Sequence, residues 1–86
     1  MAKTSRIEIR VLLFAHLGDI MGTDIRLALP VDSRVSDAIA ALALLDDRFR
    51  AAVKPARYSI NGNWAEGVDR LRGGDELALI PPVSGG

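Results

Sequence analysis

The chain has 86 residues, 49% of them apolar, no cysteine, and eleven basic residues against eleven acidic ones. That length and composition suit one domain, residues 1–86, with a real hydrophobic core. The missing cysteines exclude disulfides and thiolate metal sites, and a net charge of zero supplies no field for nucleic acid or anionic lipid. The N-terminal stretch MAKTSRIEIR lacks an apolar signal core. No apolar run approaches the ~20 residues of a membrane span, so a soluble cytoplasmic protein is expected.

From Arg6 to Ala15 the residues alternate. Ile7, Ile9, Val11 and Leu13 fall on one face of a strand, and Glu8, Arg10, Leu12 and Phe14 on the other. His16 to Gly22 carries two glycines and reads as a short helical turn. TDIRLALP alternates again through Ile25, Leu27 and Leu29 until Pro30 closes a second strand. The next stretch, VDSRVSDAIAALALLDDRF, switches to helical spacing. Asp32 or Ser33 is the expected cap, with Asp37 near the positive end of the helix dipole. Val35, Ala38, Ile39, Leu42 and Leu45 form the expected buried stripe. DDRFRAAVKP ends this helix or adds a short second one before Pro55, with its charges on a solvated face. Asn61-Gly62 between β-like runs is the strongest hairpin signal in the sequence. Trp64 is expected to pack. Gly73-Gly74-Asp75 makes a turn into a last strand, Glu76 to Ile80, which Pro81-Pro82 stops.

Strand, strand, helix, then further strands is the order of a β-grasp, an α+β fold with one main helix across one face of a mixed sheet. Its first and last strands lie parallel at the centre. If the helix covers Leu77, Leu79 and the odd residues of strand one, the opposite face carries Leu12, Phe14, Ala78 and Ile80 together. So short a chain has no second layer for such a patch, which marks a partner surface.

Conventional catalytic sets are missing. His16 is the only histidine, and Asp46-Asp47 and Asp75-Glu76 are sequence neighbours whose side chains diverge, so no metal site is expected. The group with unusual presentation is the carboxylate of Gly86, on a proline strut and two bare glycines. A carboxylate is a poor electrophile, because attack must expel oxide. Joined to AMP it gains a good leaving group, and a sulfur nucleophile can then turn it into a thiocarboxylate. Nothing in this chain is suited to ATP, so another protein must activate it.

VLLFAHLGDIMG near the start, and GGDELAL running into IPPVSGG at the end, resemble the small subunits of molybdopterin synthase, the MoaD-like sulfur carriers. The resemblance runs from Val11 to Gly86. It implies a ubiquitin-like β-grasp and a terminal Gly86, with Gly85, that an ATP- and Mg-dependent ubiquitin-activating-like adenylyltransferase adenylates. A sulfur-donating protein then supplies the thiocarboxylate sulfur. Pro81, Pro82, Val83 and Ser84 match the arm that enters the large synthase subunit, where sulfur passes to a cyclic pyranopterin monophosphate. The implied complex is a heterotetramer of two small and two large subunits. Phe14 matches a family aromatic at that interface. Ile80 stands where the family often has an aromatic, and Gly18 where many members carry Arg or Lys.

Three other readings stay open at this point. One is a β-grasp sulfur carrier for thiamin or cysteine synthesis. Another is a ubiquitin-like protein modifier, and the last is an interaction module whose tail is inert.

Overall fold

The computed structural model describes residues 5–82. In chain order the elements are β1 (Arg6–Leu13), α1 (His16–Met21), β2 (Asp24–Pro30), α2 (Val35–Leu45) and α3 (Asp47–Val53), followed by β3 (Arg57–Ile60), β4 (Asn63–Ala65) and β5 (Glu76–Ile80). The five strands lie in the order β2-β1-β5-β3-β4. β1 and β5 run parallel, from Arg10 opposite Glu76 to Leu13 opposite Leu79, and the other neighbours are antiparallel. The first and last strands therefore meet at the centre, as the alternation predicts for a β-grasp.

The helices cover one face of this sheet. Ile9, Val11 and Leu13 from β1 and Leu77 and Leu79 from β5 meet Val35, Ala38 and Leu42 of α2 in the core. Fully burying such a side chain stabilises by roughly 1.5–3 kcal/mol. β5 is the most enclosed strand, because Ala78 on its other face is also only 8% exposed.

Two details of α2 differ from expectation. The N-cap is Arg34 and not Asp32 or Ser33. Asp32 has φ 69°, and the Ser33 hydroxyl donates to the Pro30 carbonyl at 2.7 Å, so both serve the preceding turn. Asp37 does work at the helix start, accepting the Arg34 N–H at 2.8 Å. At the other end Leu45 does not extend the buried stripe; it is 68% exposed. The chain becomes extended at Asp46, whose carboxylate accepts the Arg48 N–H at 2.9 Å and starts α3 in a new direction. On α3 it is Phe49, with Val53 one turn on, that enters the core. The charges around them, Asp47, Arg48, Arg50 and Lys54, are exposed as expected.

The Asn61-Gly62 hairpin is present. Both residues have positive φ, 52° and 87°, which is the type I′ requirement, and Ile60 pairs with Asn63. The Asn61 side chain accepts the Glu76 N–H at 2.9 Å and donates to Asp75 at 2.9 Å, tying this turn to the start of β5.

Leu42→Ala should cost about 2–5 kcal/mol in urea unfolding, since it empties a fully buried site. Leu45→Gln should change stability by less than about 0.5 kcal/mol.

Candidate functional site

The sheet face away from the helices has no covering layer among the described residues. Strand register sets its rows. One runs Asp24, Leu12, Ala78, Ser59, Trp64 across all five strands, and the next toward the strand starts carries Arg26, Arg10 and Glu76. On the other side Arg57 pairs with Ile80, and Phe14 follows Leu13 at the end of β1.

Phe14 and Ile80 are brought to one place by the central parallel pair, where the Phe14 N–H donates to the Leu79 carbonyl at 3.3 Å. Phe14 is 47% exposed, and Leu12 and Ile80 are half-buried. Ala78 belongs to the same face but is buried, so it floors the patch and does not project from it. Its short side chain lies between Leu12 and Ser59, which leaves it little access. Pro81 is buried and Pro82 exposed, so the chain leaves the sheet beside this patch. Val83, Ser84, Gly85 and Gly86 lie outside the described residues.

A backbone kink sets Phe14. Ala15 has φ 53° and ψ −137°, a conformation that costs a non-glycine residue roughly 1–3 kcal/mol. It turns the chain from β1 straight into α1, where the Leu17 N–H returns to the Phe14 carbonyl at 3.2 Å and Leu17 is buried. Gly18 is buried against the same junction. An added Cβ there would meet Thr23 Cγ2 at 2.8 Å and the Leu13 carbonyl oxygen at 2.9 Å. This close packing explains why no charged side chain stands at Gly18, where the resemblance leads one to look for Arg or Lys.

Trp64 is the residue that sequence reasoning misplaced. It is 63% exposed on the open face, with the Arg57 guanidinium 4.4 Å from its ring centroid. The signal was available. A two-residue turn at Asn61-Gly62 pairs Ser59 with Trp64, and Ser59 alternates with Tyr58 and Ile60, which pack on the core. A small hollow of about 210 Å³ adjoins Arg57 and Trp64. The larger grooves, about 620 Å³ between β2 and α2 and about 410 Å³ between α2 and α3, lie on the helical side. Among the described residues no three His, Cys, Asp or Glu side chains gather in a metal-binding group. The arrangement is an uncovered sheet face with exposed apolar and aromatic side chains, beside the point where the chain leaves β5.

The polar half of the face is an ion-pair ladder. Arg10 contacts Asp24 at 2.6 Å and Glu76 at 3.3 Å, and Arg26 contacts Glu8 at 3.6 Å. The hydrogen bond from Arg10 chiefly, with its charge, holds the Asp24 carboxyl below its ordinary value of 3.8, and Asp24 in turn raises Arg10. Because the folded-state value of Asp24 is depressed, the pair's contribution is complete above the ordinary value and fades as pH falls through the lowered one.

Arg10→Gln should move the Asp24 titration midpoint up toward 3.8, read from its carboxyl carbon by NMR. Phe14→Asp, at a half-exposed position, should cost no more than about 1.5 kcal/mol of unfolding free energy. A collapse in melting temperature would instead make Phe14 part of the core.

Residues 11–86 match the ThiS family. The molybdopterin synthase sulfur carrier subunit of Arabidopsis thaliana is 32% identical, over 96% of this chain and 88% of that protein. SAMP1 of Haloferax volcanii, a small archaeal modifier protein, superposes with a TM-score of 0.83 at 31% identity, covering 92% of this chain and 99% of that one. A chain in the complex of subunits 1 and 2 of molybdopterin-converting factor from Helicobacter pylori has a TM-score of 0.64 at 17% identity, covering 93% of this chain and 100% of that one, a likeness of fold. No helix of the described residues is long and apolar enough to cross a membrane. By sequence match along most of its length and by its ubiquitin-like β-grasp, the chain belongs to the ThiS family, alongside the molybdopterin synthase sulfur carrier subunits.

Proposed function

We propose that this chain is a sulfur carrier in molybdenum cofactor biosynthesis, with the α-carboxylate of Gly86 as the group that is loaded and unloaded. An adenylyltransferase resembling ubiquitin-activating enzymes joins the carboxylate to AMP from ATP and Mg, releasing pyrophosphate. Sulfur at the oxidation level of sulfide, from a sulfur-donating protein, then displaces AMP and leaves a thiocarboxylate. The arm Pro81 to Ser84 carries that group into the large synthase subunit, where it donates sulfur to a cyclic pyranopterin monophosphate. Two such deliveries complete the dithiolene, and two small with two large subunits form the working complex. Gly85 keeps the tip thin enough to enter a narrow channel, because it lacks a Cβ.

The observation that supports this reading best is the pairing of the chain exit with an uncovered apolar face. β5 ends at Ile80 beside the half-exposed Phe14, so a partner docked on Leu12, Phe14, Ile80 and Trp64 would lie next to the outgoing arm. Docking through such anchors fixes the domain and leaves the arm to position the sulfur. The name of the Arabidopsis thaliana relative points the same way.

A second reading rests on the likeness to SAMP1: the same terminus joined to amines of other proteins. Both readings are separated by co-expression with an activating enzyme and intact-mass measurement. An oxygen-to-sulfur mass increase supports the carrier, and ladders of covalent adducts support the modifier.

Deleting Gly86, or appending one residue after it, should abolish sulfur transfer in a reconstituted synthase assay while the melting curve stays unchanged. Retained transfer would refute the mechanism. Phe14→Asp should weaken binding to the large subunit by about tenfold or more, measured by calorimetry.

A further inference from the structure

Asn61 and Asn63 are the only side-chain amides in the chain, and Asn61 is followed by glycine. A carboxamide next to glycine is chemically labile, because no Cβ shields the following backbone nitrogen. The Gly62 nitrogen attacks Cγ of Asn61, the Cγ–Nδ2 bond breaks, and Nδ2 leaves as ammonia with the proton from the Gly62 nitrogen. Water then opens the five-membered imide at either carbonyl, giving aspartate or isoaspartate at position 61. Nothing is oxidised or reduced. Asn63 precedes Trp64, whose bulk hinders the same attack.

In the folded chain the reactive amide is held elsewhere. The Asn61 side-chain oxygen accepts the Glu76 N–H at 2.9 Å, and Nδ2 donates to Oδ1 of Asp75 at 2.9 Å. The Asn61 backbone N–H also donates to the Glu76 carbonyl at 2.9 Å. All three bonds run from the β3–β4 turn to the start of β5. Closing the imide ring requires the carboxamide to swing over the Gly62 nitrogen, which breaks both side-chain bonds. The partner of Nδ2 is itself fixed, since the other oxygen of Asp75 accepts the Arg72 N–H at 2.8 Å. Asn61 and Gly62 are exposed, so water reaches the turn once it opens.

We propose that Asn61 is a latent deamidation site, closed by its bonds to Asp75 and Glu76 and opened when the β3–β4 hairpin parts from the start of β5. The step is one-way. Aspartate at position 61 puts a carboxylate oxygen where Nδ2 stood, against the Asp75 carboxylate, and the two charges repel. Isoaspartate adds a methylene to the backbone of a two-residue turn that depends on positive φ at both residues. Either product unfastens the turn from β5 and frees the strand that carries Trp64. Opening there is local: Asn63 and Trp64 of the three-residue β4 are exposed, so little packing opposes it. The site does not depend on the role proposed for Gly86.

The test is mass spectrometry of the full chain incubated in mildly alkaline buffer, with the change located by fragmentation of the tryptic peptide 58–70. The same peptide, synthesised, is the unfolded reference. Conversion at Asn61 in the folded chain should run about tenfold or more below that in the peptide, with Asn63 intact. Asp75→Asn keeps an oxygen for the Arg72 N–H but turns an amide nitrogen toward Nδ2, and should raise the folded-chain rate about threefold or more. Leu42→Val, which weakens the core away from the turn, should leave that rate within about twofold. Asn61→Asp should lower the urea midpoint and shift the fluorescence of Trp64, and adding Asp75→Asn should restore the midpoint. Equal rates in chain and peptide, no acceleration by Asp75→Asn, or an unchanged midpoint in Asn61→Asp would overturn the proposal. Acceleration by Leu42→Val as large as by Asp75→Asn would assign the reaction to global unfolding and overturn it too.

Discussion

The parallel pairing of β1 with β5 is the constraint on which the rest depends. The two strands are far apart in sequence, and a parallel pair requires a long crossover, here α1 to β4. Once made, the pairing puts Val11 and Leu13 beside Leu77 and Leu79 under α2. It also puts Phe14 beside Ile80 at the edge of the uncovered face. Core and candidate interface are therefore two sides of one register. A slip by one residue would turn the leucines outward and scatter the patch.

The uncovered face has a gradient of character along the strands. Toward the start of β1 it is charged, with Arg10, Asp24, Glu76, Arg26 and Glu8 paired in exposed contacts that contribute little to stability. Toward the exit it is apolar and aromatic, with Phe14, Ile80 and Trp64. A polar rim around apolar anchors is the usual anatomy of a protein interface. Backbone conformation sets the positions of Phe14 and Trp64. Ala15 keeps a strained conformation after Phe14, and the Asn61-Gly62 turn fixes Trp64 one step beyond Arg57 and Ser59.

The two ends of β5 have different surroundings. At its end the chain leaves the sheet past a buried Pro81. At its start, turns built on Asp69 and Asp75 each direct a carboxylate oxygen to a backbone N–H. Only the folded arrangement decides which acids meet which bases.

Much of the fold could be read from the sequence because its signals are local. Alternation in β1, β2 and β5, helical spacing from Val35 to Leu42, and the positive-φ pair Asn61-Gly62 each depend on residues a few positions apart. From these follow the β-grasp order and the grouping of Leu12, Phe14 and Ile80 on one face. Three features were decided by tertiary structure, for distinct physical reasons. Leu45 faces solvent because Asp46 breaks the helix and Phe49, in a new helical direction, fills the core. Trp64 is exposed because hairpin register outranks the general tendency of tryptophan to pack. Arg34 meets Arg70 because a backbone bridge joins segments 36 positions apart, and neither segment carries any sign of that meeting. Local periodicity thus determined the elements and their faces; which distant side chains became neighbours was left to the register that folding imposes.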